Sequence, residues 1–408
     1  MNNNKYIPLL RFPEFQNDGE WELTPVGKYY KVQGGFAFRS SEFKKSGIPI
    51  IRISNIPNDG IHIDTNNCVY YDRIANEDNS LISKGDLLIA MSGATTGKTA
   101  IYNQDGEAYL NQRVGLFRSI NNQNYYPFIC QWVKSDYFYS QLNRTLAAGA
   151  QPNISGKDLE SFTWVYPIGD NSYCEQKKIA DCLSSLDKYI DAIKRKLEQL
   201  KEHKKGLMQK LFPAKGKTLP ELRFPEFQND GEWVEKKISN IFDQITRGYV
   251  LPVSETHQSP DDTYKYPVYS SQTANNGLMG YYNKYLYKNA ITWTTDGANA
   301  GTVMLRRGEF FCTNVCGVLI SHRGYANGCI SEIIAAHAKE HVSYVGNPKL
   351  MNNVMSEIVI CIPPTIDEQV KIADCLYKGD QNISSYEKKI RSLELHKRGL
   401  MQQLFLKL

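Results

Sequence analysis

The sequence predicts an α+β protein written twice in one chain: two similar globular domains separated by two long antiparallel helices that form a coiled coil, with an internal pseudo-twofold repeat. Three observations predict it. The dodecapeptide LRFPEFQNDGEW stands at Leu10–Trp21 and again, unchanged, at Leu222–Trp233. EQKKIADCL (Glu175–Leu183) returns as EQVKIADCL (Glu368–Leu376), and HKKGLMQKLF (His203–Phe212) as HKRGLMQQLF (His396–Phe405), both at an offset of 193. Between these repeats, KGDLLIAMSGATTGKTAI (Lys84–Ile101) aligns without gaps with KNAITWTTDGANAGTVML (Lys288–Leu305) at an offset of 204. Twelve identical residues do not recur by chance, so the chain is duplicated. The units start 212 residues apart and end 193 apart, so their interiors differ by 19 residues.

The first domain is expected over residues 1–173. Its start, MNNNKYIPLL, has no signal-peptide core. No apolar run approaches the ~18 residues of a membrane span, which predicts a soluble, cytoplasmic protein. Within it, Leu87–Ile101 reads as a buried strand, a Gly-rich turn and a second strand.

Residues 174–215 read as the first long helix. Ile179, Leu183, Leu186, Ile190, Ile193, Leu197, Leu200, Leu207 and Leu211 follow alternating steps of four and three, broken only at Lys204, which is a coiled-coil seam. The second domain spans 216–366, with Pro363 and Pro364 marking its boundary. The second helix, 367–408, repeats the seam with Ile372, Leu376, Ile383, Tyr386, Ile390, Leu393, Leu400 and Leu404, interrupted at Gly379 and Lys397. Lys397 is the counterpart of Lys204. Each stripe needs a partner, and the other helix is the expected one; packing on its own domain is the alternative. About 35 helical residues make a rod of roughly 50 Å, with Leu408 returning toward the first LRFPEF motif. Gly206 and Gly399 interrupt otherwise helical ends, which fits either close packing or a kink.

The chain's 408 residues and 41% apolar content suffice for two or three cores. Its charge of +5 is uneven: 12 Lys and Arg against 6 acids over 175–217, and 8 against 5 over 368–408, leave the interiors slightly acidic. Nucleic-acid affinity in the interiors would come from local patches. The nine cysteines include no C-x-x-C pair and are expected to be buried and reduced. Cys312 and Cys316 lack further ligands for a metal.

Two catalytic patterns are decoys. SGATTGKT resembles a phosphate-binding loop, but Gly93 and Gly97 are one residue too close and Thr302 replaces Lys98 in the second copy. HAKEH (His337–His341) fits H-x-x-E-H, yet only Glu332 and Glu340 lie near it as acids. No Ser/His/Asp grouping and no [ND]-P-P-[FY] methyltransferase signature stand out. A self-sufficient nuclease or methyltransferase is therefore disfavoured.

L-R-F-P-E-F with D-G-E-W, the EQxKIADCL and HKxGLMQxLF segments, GAQPNIS (Gly149–Ser155), WTTDGANAGTV and LMNNVM (Leu350–Met355) together cover the chain. In this combination it resembles the specificity subunit of a type I restriction-modification system. The resemblance implies a non-catalytic subunit whose two target-recognition domains each read half of an asymmetric, bipartite double-stranded DNA target. It further implies two modification subunits that methylate adenine with S-adenosylmethionine, and restriction subunits that use ATP and Mg²⁺. No cofactor or metal is expected in this chain. Half-sites about one helical turn apart, roughly 34 Å, would suit readers on a rod.

Base reading needs polar side chains at base edges. Candidates are Arg39, Lys44, Lys45, Thr95, Thr96 and Lys98 in the first domain, with Ser270, Ser271, Gln272, Thr273, Thr295 and Asn299 in the second; the resemblance assigns none of them individually. The Phe and Trp residues of the dodecapeptide are expected to pack domain against helix. The rival reading is a coiled-coil scaffold that binds proteins, without salt-dependent DNA affinity.

Overall fold

The computed structural model describes residues 6–56, 63, 65–75, 78–149 and 152–406. Ala150 and Gln151 of the GAQPNIS stretch, and Leu408, lie outside the described residues. The chain divides into two units: Met1–Ile193 with Lys389–Leu408, and Lys194–Lys388. Each holds one domain, the start of the helix that follows it, and the end of the other helix.

The long helices run unbroken over Ser172–Leu211 and Ile366–Leu404. In the first unit Ile179, Leu183, Ile190 and Ile193 are buried and Leu186 is half-buried, as are Leu393 and Leu400 opposite them; Ile390, Met401 and Leu404 are buried. In the second unit Leu197, Leu211, Ile372 and Leu376 are buried, and Leu200, Leu207, Ile383 and Tyr386 half-buried. The pairing is antiparallel in each unit. Ile179 and Leu183 share a core with Met401 and Leu404 while Asp187 meets Lys397; in the second unit Lys204 meets Asp380 at 2.6 Å and Lys201 meets Glu387 at 3.5 Å.

The seam's two interruptions are thereby explained. Lys204 and Lys397 lay their alkyl stems in the seam and carry the ammonium to an aspartate on the facing helix. Asp187 and Asp380 are themselves counterparts at the offset of 193, so the ion pair is duplicated along with the gap. A Cβ at Gly379 would stand 3.8 Å from the Lys204 stem. Beside Gly206 and Gly399 nothing lies within 4 Å of such a Cβ, so close packing does not require either glycine.

The stripes also serve their own domains. Ile179, Ala180 and Leu183 join Trp21, Phe128 and Trp164 in the first core; Ile372, Ala373 and Leu376 join Trp233, Trp293 and Ile330 in the second. Both alternatives read from the sequence therefore hold at once.

The dodecapeptide fixes this docking. In the first unit Arg11 donates from Nε and Nη2 to the two carboxylate oxygens of Glu175 at 2.7 and 2.8 Å, and from Nη1 to Gly19 O at 2.6 Å. Trp21 Nε1 adds a bond to Glu175 at 3.2 Å. Gly19 holds φ at 79°, the left-handed conformation that turns its carbonyl to the guanidinium. In the second unit Arg223, Glu368, Gly231 and Trp233 repeat this geometry at 2.7, 2.7, 2.6 and 3.3 Å. Both glutamates are buried. The preceding backbone reaches the end of the other helix: Leu10 N donates to Gln403 O, and Leu222 N to Lys210 O.

The interiors share a topology. In each, a two-stranded ribbon (Glu22–Pro25 with Thr163–Tyr166; Val234–Lys237 with Val359–Ile362) stands beside the main sheets. The second unit has one six-stranded sheet, ordered Gln244–Arg247, Cys316–Ile320, Tyr287–Thr294, Val303–Cys312, Tyr266–Tyr269, Leu278–Tyr282. The first unit has two four-stranded sheets instead. They are Tyr30–Gly34, Val114–Ser119, Leu87–Ala90, Thr99–Ile101, and Val69–Tyr71, Ile48–Ile51, Ala108–Leu110, Leu81–Ile82. The long strand Val303–Cys312 corresponds to two short ones, Thr99–Ile101 and Ala108–Leu110. Two extra residues break it; Gly106 (φ 91°) has a left-handed counterpart in Gly308 (φ 74°), which lies inside the unbroken strand.

Removing one member of a buried ion pair strands the other, at a cost of about 3–5 kcal/mol. Glu175→Ala should therefore lower the stability of the first unit by that order in chemical denaturation, and the paired change Arg11→Met with Glu175→Leu should recover most of it.

Asp187 generates a pH prediction. Burial pushes its carboxyl up, but Lys134 and Lys397 outweigh burial and hold it below the ordinary value of 3.8. A depressed carboxyl stabilises the fold above its ordinary range and loses that contribution as pH falls through the depressed value. Acid melting below about pH 4 should be shallower in Asp187→Asn than in the unsubstituted protein.

Candidate nucleic-acid interface

In both units the aligned segment folds as strand, turn, strand. The first turn uses its amides internally: Thr96 N donates to Gly93 O, Gly97 N to Ala90 O, and Lys98 N to Thr95 O. The second does the same with Ala300 N to Gly297 O, Gly301 N to Thr294 O and Thr302 N to Asn299 O. These amides are not available to cradle a phosphate, as the repeat itself implied. Gly97 and Gly301 hold φ at 84° and 81°, where a Cβ would meet Leu142 at 2.3 Å and Val342 at 2.9 Å.

In the first unit the turn gathers two other segments. Thr95 Oγ1 donates to Ile53 O at 3.3 Å, Thr96 Oγ1 lies 2.6 Å from Gly93 O and 2.5 Å from Pro152 O, and Ile154 N donates to Met91 O. Both threonine hydroxyls thus brace the loops. Lys98 is half-buried. Arg39, Lys44 and Lys45 occupy a separate loop, anchored where Phe38 packs against Tyr71 and Tyr109. Arg39 faces Glu42 at 3.6 Å and Lys44 pairs with Asp72, so this loop is less cationic than its sequence suggests. Lys45 is exposed and has no partner among the described residues. Arg52, unremarked in the sequence, buries an unbonded Nε beside this turn, and Ser92 Oγ is likewise unbonded.

In the second unit Asn299 Nδ2 donates to Ser271 O at 2.9 Å, joining the turn to YSSQTANNG. Ser270 Oγ bonds Thr313 Oγ1 and is half-buried, whereas Gln272, although its Nε2 bonds Leu278 O, is exposed, as is Thr273. Thr295 is a correction to the sequence reading. It is fully buried, accepting from Arg247 Nη2 at 2.9 Å and donating to Asp296 at 2.6 Å, and so supports the turn from within. Residues the sequence reading passed over stand outside it: Tyr249 and Val250 are exposed, as are Asn275 and Asn276. The N-N-G triplet was the available signal for the last two.

The decoys resolve on geometry. The α-helix carrying His337 ends at Ala338, and His341 belongs to a following 3-10 turn, so the two imidazoles do not share a continuous helical face. Cys312 and Cys316 are buried, and burial pushes the Cys316 thiol up to about 11. Among the described residues no group of three or more His, Cys, Asp or Glu is placed to hold a metal, and no helix is long and apolar enough to cross a membrane.

What the fold defines is a duplicated protein with an invariant framework of clamps and helices and two dissimilar sets of polar loops. The family model of the type I restriction modification DNA specificity domain matches residues 19–202 and 230–395, and the chain belongs to that family. It is 32% identical over 161 residues to the type I restriction enzyme MpnII specificity subunit of Mycoplasma pneumoniae, covering 38% of this chain and 47% of that one. It is 27% identical over 200 residues to the MjaVIII specificity subunit of Methanocaldococcus jannaschii, covering 48% and 46%. The chain spans about half the length of these curated relatives. The crystal structure of a type I restriction-modification S subunit from M. genitalium superposes with a TM-score of 0.67 over 98% of this chain and 99% of that one, a likeness of fold at 16% identity.

If Thr295 is scaffold, Thr295→Val should lower the melting stability of the second unit by about 1–2 kcal/mol through the lost buried hydroxyl, and should leave sequence selectivity unchanged in a DNA-binding competition.

Proposed function

We propose that this chain is the DNA-specificity subunit of a type I restriction-modification complex, in which each domain reads one half of an asymmetric, interrupted target. The single observation that carries it is the contrast between duplicated framework and divergent loops. Both clamps and both seam ion pairs repeat almost atom for atom, while the loops beside the two Gly-rich turns share neither length nor chemistry. Two recognition surfaces that differ on one framework suit a target whose halves differ.

In this reading residues 1–173 and 216–366 are the target-recognition domains, and 174–215 and 367–408 are spacers that set the unread gap and dock partners. The partners are two modification subunits, which supply S-adenosylmethionine and methylate adenine, and restriction subunits that use ATP and Mg²⁺. The subunit itself carries no catalytic step, and its place of work is the cytoplasm. Phosphate contacts from exposed cations such as Lys45 would hold the duplex in register, while loop side chains distinguish bases.

The test is a methylome. The chain is co-expressed with its cognate modification subunit in a methylation-free host, and modified adenines are mapped by single-molecule sequencing. The expected result is one asymmetric motif with a fixed unread gap, absent when the chain is omitted. An assembled complex that methylates no motif would favour a protein-binding scaffold.

A further inference from the structure

The segment Ser270–Gly277 of the second unit rests on an unusual support. Asn275 (φ 49°, ψ 38°), Asn276 (φ 55°, ψ 32°) and Gly277 (φ 82°) are three successive residues in the left-handed region. L-residues disfavour that region, Asn least, and a run of them persists where surroundings over-determine it. Here the determinant is Arg306. Its Nη1 donates to Asn276 O at 2.7 Å, its Nε to Thr292 Oγ1 at 3.0 Å, and its guanidinium stacks 3.7 Å from the centre of the Tyr269 ring. Ser270 N to Gly277 O and Asn299 Nδ2 to Ser271 O close the segment on its other sides.

Arg306 is 7% exposed and bonds no carboxylate. A buried cation without an acid is unfavourable unless something else requires it. The first domain shows that the framework does not. The offset of 204 puts Tyr102 at the place of Arg306 and Leu88 at that of Thr292. Ile51 corresponds to Tyr269, since it pairs in parallel with Leu110 as Tyr269 does with Cys312. Ile51, Leu88 and Tyr102 lie together in one apolar cluster. Three coordinated replacements thus exchange an apolar plug for a buried cation, and the cation's bond to Asn276 shapes the loop. The exposed Asn275 and Asn276 side chains make no hydrogen bond to the protein among the described residues. A carboxamide offers the donor–acceptor pair that matches the N6 and N7 edge of adenine in the major groove.

We infer that Arg306 is a positioning residue that presents Asn275 and Asn276 to bases of the half-site read by the second unit, with adenine the base they select. This rests on the reading of the chain as a DNA-specificity subunit. Through Asn276 O, Arg306 sets the loop's conformation and makes no base contact of its own.

The test repeats the methylome on the assembled complex with Asn275→Ala/Asn276→Ala, with Arg306→Lys, and with the triple change Tyr269→Ile/Thr292→Leu/Arg306→Tyr, which rebuilds the apolar plug. Expected is a loss of discrimination of about tenfold or more at one or two positions of one half-site. These positions should be shared by all three variants, with the other half-site and the gap unchanged. Lower methylation at every site with unaltered base choice would overturn the inference, because that is what a merely structural arginine would give. Full selectivity in the asparagine variant would overturn it as well. A complex of the unsubstituted chain that assembles and yields no interrupted motif would overturn the underlying reading and this inference with it. Arg306→Lys and the asparagine variant decide the matter if the triple variant fails to fold.

Discussion

The buried bidentate clamp between the dodecapeptide arginine and the first turn of the long helix is the constraint from which the rest follows. Glu175 and Glu368 are almost fully enclosed, and each accepts from an arginine fork and an indole. An ion pair so placed adds little net stability over an apolar contact of the same shape, but it tolerates only one geometry. Because the arginine also takes a glycine carbonyl, the clamp ties three things at one point: the entry of the domain, its NDG turn and the start of the helix. Three of the twelve repeated residues, the arginine, the glycine and the tryptophan, form this knot in both copies.

The helix pair shows the same logic at longer range. Aliphatic seam positions alone would allow an antiparallel pair to slide by a heptad. A lysine meeting an aspartate across the seam in each unit makes one alignment different from its neighbours, because a slipped register would leave the largely buried seam lysine unmatched. Stability comes from the leucines and isoleucines, and alignment from the two polar interruptions. The interiors reverse this division: their frameworks agree, and what varies is the chemistry packed beneath the loops, with Arg306 against Tyr102 as the clearest case.

Much of this was legible in the sequence. The heptad seam was readable because every seam residue answers to one period, and the strand–turn–strand segments because both copies align without a gap. What stayed hidden were partnerships across long separations. Arg11 lies 164 residues from Glu175, and no local pattern announces that bond. Lys204 and Lys397 read as gaps because their aspartate partners sit on the other helix. Thr295 read as a surface residue because polar residues in turns usually are; Arg247 and Asp296 bury it. Arg306 gave no sign of its own, since Arg307 and Glu309 stand beside it in the same strand, and it became meaningful when the fold set it at the position equivalent to Tyr102.

The first unit is discontinuous in sequence, while the second is one stretch, Lys194–Lys388. Met401, Leu404 and Phe405 complete the core that holds Trp21 and Phe128. During synthesis the domain made first is therefore complete only once Met401, Leu404 and Phe405 have followed, whereas the later domain has all its parts once Lys388 has been made. The order of completion is the reverse of the order of translation, and a chain cut before Lys389 would lose part of the core of the domain made first.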